Sequence, residues 1–118
     1  MDKQKVLVAI ASSDGIVVNS HFGKTDKFYI YEVCEDNISF IEIREVEHVC
    51  NGGNHDEDKL EKNMQRISDC KYLLVSRIGN GAVTVAESYD IEPYEIPGEI
   101  RESIEQLIKY IKIKNLFQ

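Results

Sequence analysis

Lys5-Val6-Leu7-Val8-Ala9-Ile10-Ala11 is the stretch on which the fold turns. After its opening lysine it is apolar without interruption. A strand with one face in water alternates apolar and polar residues, whereas a run like this one needs cover on both faces. It is also far shorter than the roughly 20 apolar residues a membrane helix requires. Lys3 and Lys5 ahead of Ala9-Ile10-Ala11 faintly imitate a leader, but the apolar part is shorter than a typical signal core. The expectation is the buried central strand of a cytoplasmic protein with no cleaved leader.

Outward from that strand, Ser12 to Lys24 is polar and glycine-punctuated, interrupted by Ile16-Val17-Val18, which predicts a long loop or small hairpin. Phe28–Cys34 is aromatic and β-branched. Glu35-Asp36-Asn37 is a turn signal, and Ile38, Phe40 and Ile41 start a third strand ending near Val46. A turn this short makes those two strands antiparallel. His48 to Asn54 reads as loop, and Asn54 with Glu57 as a helix start followed by an apolar face of Leu60, Met64 and Ile67. Tyr72–Val75 is another buried strand, Ala82–Ser88 a short helix after Gly79-Asn80-Gly81, and Ile91–Tyr94 the last strand. Pro97 opens a final helix with the stripe Ile100, Ile104, Leu107, Ile108 and Ile111.

The order β-β-β-α-β-α-β-α predicts one domain over residues 1–118, a three-layer α/β/α sandwich on a five-stranded mixed sheet whose second strand is antiparallel. With the first strand central, the loops Ser12–Lys24, His48–His55 and Arg77–Gly81 leave the same edge of the sheet. Open α/β sheets place ligands at the carboxyl ends of their strands. Of the three cysteines, Cys34 and Cys70 fall at the opposite edge and read as small core residues, which leaves Cys50 to join a site.

The chain has 118 residues, 42% hydrophobic and 30% charged, the profile of an ordinary globule. Fourteen basic against twenty-one acidic residues give a net charge of −7, the wrong sign for a general binder of nucleic acid or anionic membranes. Three cysteines without a CxxC pair fit reduced thiols rather than a disulfide framework. There is no nucleophile motif of the G-x-S-x-G kind, and the first strand carries none of the carboxylates a metal-dependent nuclease would project.

Three groups of residues remain as candidates. His21, in Asn19-Ser20-His21-Phe22-Gly23, can offer a ring nitrogen to a borderline metal or simply bond loop backbone. His48, Cys50 and His55 bring thiolate and imidazole donors into one loop, chemistry that suits zinc or the iron of an iron–sulfur cluster, though their spacing matches no zinc finger. Arg77 with Gly79-Asn80-Gly81 stands before a helix start, where free N–H groups welcome an anion; the glycines equally suit a tight strand-to-helix turn. The Gly-Lys-Ser/Thr ending of a phosphate loop is absent, so nucleotide binding is not expected.

Taken in order, Val8-Ala9-Ile10-Ala11-Ser12-Ser13-Asp14-Gly15, Asn19-Ser20-His21-Phe22-Gly23 and Phe28-Tyr29-Ile30-Tyr31-Glu32 carry a resemblance. Asp69-Cys70, Leu74-Val75-Ser76-Arg77-Ile78-Gly79 and Ile91-Glu92-Pro93 continue it. The chain resembles the dinitrogenase iron–molybdenum cofactor-binding family, which takes in NifX, NafY and the C-terminal domain of NifB. The resemblance implies a ribonuclease-H-like fold without nuclease activity. It also implies binding of an iron–sulfur cluster, either the nitrogenase cofactor or its precursor, as cargo passed between donor and acceptor proteins. His21 matches the family's HFG histidine and Cys50 a cysteine after the third strand; where a second cysteine often follows, this chain has His55. The expected cofactor-binding set is thus Ser12, Ser13, His21, Cys50, His55, Arg77, Gly79 and Gly81, with His21, Cys50 and His55 as metal ligands. Lys24, Lys27 and Arg77 would offset the cluster's negative charge. Two other readings are a zinc- or iron-binding regulatory module built on His48, Cys50 and His55, and a protein-docking domain with vestigial ligands.

Overall fold

In the computed structural model, residues 5–46 and 56–116 are described. The elements are β1 (Lys5–Ala11), β2 (Val17–Val18), a 3-10 turn (Phe22–Lys24), β3 (Lys27–Cys34), β4 (Asn37–Glu45), α1 (Asp56–Gln65), β5 (Tyr72–Val75), α2 (Asn80–Ser88), β6 (Glu92–Glu95), β7 (Gly98–Glu99) and α3 (Ile100–Leu116). Five strands form one mixed sheet in the order β4-β3-β1-β5-β6, and β2 pairs separately with β7. β1 is antiparallel to β3, and β3 to β4, while β5 runs parallel to both β1 and β6. The expected α/β architecture and the direction of every main strand are observed.

β1 is central because both of its faces are covered. Ala9 and Ala11 enter a core with Phe22, Phe28, Ile30, Met64, Ile67, Leu73, Ala82 and Ala86, beneath α1 and α2. Their small side chains leave the volume that Phe22 and Phe28 fill, with ring centroids 5.7 Å apart. Val8 and Ile10 face the other way, against Val18, Leu74, Ile100, Ile104 and Leu107 beneath α3. Ile108 and Ile111, the remainder of the α3 stripe, are partly buried against this second core.

Three local expectations are corrected. Pro97 does not open α3; the helix starts at Ile100, because Gly98–Glu99 is first drawn out as β7 against Val17–Val18. Gly98 has φ +127°, a backbone conformation side-chain-bearing residues rarely adopt, and the Ile100 N–H donates to the Ile16 carbonyl at 3.0 Å. α2 starts at Asn80 rather than Ala82, so Gly81 belongs to the helix and not to the turn before it. Cys34 is half-exposed where β3 ends, whereas Cys70 is buried as expected. Burial pushes the Cys70 thiol up to about 12. The predicted helix start at Asn54 lies outside the described residues. No helix among the described residues is long and apolar enough to cross a membrane.

Candidate functional site

Beyond the C-terminal ends of β1 and β5 the chain builds a small shelf. Ser20 N–H donates to the Ala11 carbonyl at 3.3 Å, Ser76 N–H to the Ser20 carbonyl at 3.0 Å, and Phe22 N–H to the Arg77 carbonyl at 3.0 Å. These bonds lay residues 20–22 alongside the continuation of β5 and make His21 and Arg77 partners in a parallel bridge. Local sequence explains why His21 stays outside. Phe22 is buried and pins the segment, and the His21 carbonyl accepts from both Lys24 and Thr25 N–H at 3.0 Å. The imidazole is left exposed next to the exposed Arg77. Among the described residues, no side chain pairs with the Arg77 guanidinium.

The loop between β1 and β2 is held from within. Ser12 is buried; its Oγ accepts from Gly15 N–H at 2.9 Å and donates to Asp14 Oδ1 at 3.2 Å. Asp14 Oδ1 also accepts from Ile16 and Val17 N–H at 2.8 and 3.2 Å, and these two backbone donors hold its carboxyl below the usual carboxylate range. Asn19 clasps Ser13 twice: its Oδ1 accepts from Ser13 N–H and its Nδ2 donates to Ser13 Oγ, each at 3.0 Å. Ser12 and Ser13 therefore sit on the predicted edge with their hydroxyls committed to shaping the loop that delivers His21.

On the other side of the shelf, Gly79 caps α2 with φ −80° and ψ 163°, and among the described residues no side-chain cap bonds the start of the helix. A Cβ built on Gly79 or Gly81 would meet nothing within 4 Å. Neither backbone strain nor packing asks for glycine at these two positions, so the tight-turn explanation does not account for them. No Cβ stands at these two positions beside the start of the helix, the end that carries its positive dipole. Glu95, which sequence reasoning missed, orients this turn: its Oε2 accepts from Ile78 N–H at 2.9 Å. Its position at the end of β6, after the Ile91-Glu92-Pro93 run, was the signal available. Asp14 and Asn19 were also missed, although Ser-Ser-Asp-Gly is a sequence that folds on its own side-chain oxygens.

The structure thus brings Ser12, Ser13, His21, Arg77, Gly79 and Gly81 to one edge of the sheet. β4 also delivers the chain to that edge, since Val46 N–H donates to Asp26 at 2.9 Å just before β3 begins. His48, Cys50 and His55 lie outside the described residues. Among the described residues, no three His, Cys, Asp or Glu side chains come together as a metal-binding group.

Fold and shelf define an α/β/α arrangement that, among the described residues, sets the exposed His21 and the start of α2 on the same edge. The chain belongs to the dinitrogenase iron-molybdenum cofactor family, whose model matches residues 4–110. It is 38% identical over 105 residues to the FeMo cofactor biosynthesis protein NifB of Frankia alni, covering 86% of this chain and 21% of that protein. Against protein NifX of Sinorhizobium fredii it is 28% identical over 111 residues, covering 89% of this chain and 69% of NifX. The chain thus spans about a fifth of the length of the NifB relatives it matches. Among solved structures, the crystal structure of PH0822 superposes with a TM-score of 0.65 at 24% identity, covering 87% of this chain and 90% of that one, a likeness of fold. An NMR structure from Thermotoga gives 0.54 at 21% identity, covering 88% of both chains.

Proposed function

We propose that this chain is a non-catalytic cytoplasmic carrier that holds an iron–sulfur cofactor or its precursor, of the kind used in FeMo-cofactor biosynthesis, between a donor and an acceptor protein. The observation that carries this reading is the pairing of His21 with Arg77 beside a helix start kept bare by Gly79 and Gly81. His21 supplies an imidazole ligand to iron. Arg77 and the free N–H groups of α2 offset the cluster's negative charge in a protein of net charge −7. Ser12 and Ser13 act by holding the loop, Lys24 and Lys27 add positive charge along the edge, and Cys50 with His55 complete the ligand set from the segment after β4. A few ligands on loops suit a carrier better than a closed cage, because cargo must also leave. Family membership and the part of the NifB relatives in FeMo cofactor biosynthesis support the cargo class.

The test is anaerobic titration of the apo-protein with an iron–sulfur cofactor precursor, reading co-eluting iron and visible absorption after gel filtration. His21→Ala and the double variant Gly79→Ala/Gly81→Ala should each lose retention by about tenfold, equivalent to roughly 1.4 kcal/mol. Both should keep their thermal stability, because His21 is exposed and each new Cβ enters open space. Retention indifferent to both variants but lost in Cys50→Ala would move the site off this shelf. No co-elution, with one zinc per chain instead, would replace the carrier by the single-metal reading.

A further inference from the structure

We propose that the outer edge of β4 pairs with the same edge of a second copy, joining two sheets into one about a two-fold axis at Ile43. β4 is a nine-residue strand at the margin of the sheet, and no strand among the described residues pairs with its outer side. The opposite margin, β6, has four residues and carries Pro93, which has no N–H to offer.

The direction of the free groups follows from the register. Val46 N–H donates inward to Asp26 at 2.9 Å, and the pairs Phe28↔Arg44 and Ile30↔Glu42 continue that inward set at two-residue steps. Ile43 and Glu45 therefore turn their N–H and C=O groups outward; the Glu45 carbonyl is taken by Arg66 Nη1 at 3.2 Å, which leaves Ile43 as the centre where both groups are open. An antiparallel pairing centred on Ile43 makes the two Ile43 residues a mutually hydrogen-bonded pair. It also sets Glu42 of each copy opposite Arg44 of the other, so Glu42-Ile43-Arg44 is complementary in charge to itself. Edge strands that remain alone are guarded by charges that repel a second copy; these attract one. The guanidinium is already positioned on its own chain, its Nη1 and Nη2 bonded to Asp69 at 2.7 and 2.9 Å and its Nε to Glu42 at 2.8 Å, so the contacts between copies add to pairs made within each.

The side chains agree. α3 covers the β1 and β5 part of its face, leaving Ile43 and Phe40 at 48% and 52% exposure beside Tyr29 and Tyr31. Pairing at Ile43 would set the Ile43 of the second copy against that patch. A register shift between Ile30 and Tyr31 limits the regular segment, so the contact is short and association of micromolar strength is expected.

Sedimentation velocity over about 1 to 200 μM, bracketing that strength, tests this on the purified chain. The wild type should pass from monomer to dimer as concentration rises. Ile43→Pro removes an outward donor and no bond within the sheet, so it should stay monomeric with an unchanged circular dichroism spectrum. Glu42→Arg, an exposed change that sets arginine against arginine, should raise the dissociation constant at least about tenfold. A wild type that is monomeric throughout overturns the proposal, as does a dimer that survives either variant in folded form.

Discussion

Replacing Gly15 by alanine probes the loop that carries His21. Gly15 has φ +76°, and a Cβ placed on it would lie 2.7 Å from Tyr29 Cε2 and 2.9 Å from Cζ. The left-handed conformation costs an L-residue about 1–2 kcal/mol. Swinging the Tyr29 ring off its rotamer adds about 0.5–1.5 kcal/mol, against a gain of about 0.4–1 kcal/mol from a stiffer unfolded chain. The net expectation is a loss of about 2 kcal/mol. The ring cannot yield freely, since it packs against Phe40 with centroids 6.3 Å apart. Urea unfolding followed by far-ultraviolet circular dichroism and tyrosine fluorescence measures it; the chain has six tyrosines and no tryptophan. Tyr29→Leu takes away the ring atoms that clash, so Gly15→Ala made in that background should cost about 1 kcal/mol less, a coupling the double-mutant cycle isolates. A loss below about 0.5 kcal/mol would refute the claim that this turn needs glycine. A full loss with no coupling would refute the placement of Tyr29 over it.

Two further outcomes follow from titrating groups. Hydrogen bonds from Arg44 hold Asp69 below its ordinary value of 3.8, so the ion pair contributes stability above that pH and loses it as pH falls through the lower folded value. Asp69→Asn should flatten that acid limb and cost at most about 1 kcal/mol at neutral pH, since the pair is half-exposed; equal acid slopes would remove Asp69 from the account. In a Cys50→Ser background at pH 8, a thiol reagent should label one cysteine per chain, the half-exposed Cys34. Cys70, buried and with its thiol raised to about 12, should react only after denaturation. Two fast equivalents in the folded protein would contradict that burial.

Much of this molecule was legible in short windows of sequence. The polarity-free run of β1 announced a strand with cover on both faces, the Glu35-Asp36-Asn37 turn forced β3 and β4 antiparallel, and the α3 stripe marked which helix face is buried. From those elements the connection rules brought the loops after β1, β4 and β5 to one edge, and with them His21, Arg77 and the glycines. The order of HFG and Ser-Arg-Ile-Gly motifs carried the family. Each of these is a local pattern, set by side-chain period or turn chemistry over a few neighbouring residues.

Only the tertiary structure decided the rest. Val17–Val18 pairs with Gly98–Glu99, delaying α3 past Pro97, and His21 bridges to Arg77 rather than lying in a free loop. Glu95 reaches back to Ile78, and the Cβ positions of Gly79 and Gly81 open onto empty space. These are hydrogen bonds and clearances between segments far apart in the chain. A backbone amide donates equally well whatever its side chain, so such pairings leave no mark in the local sequence and exist only once the sheet has brought the segments together.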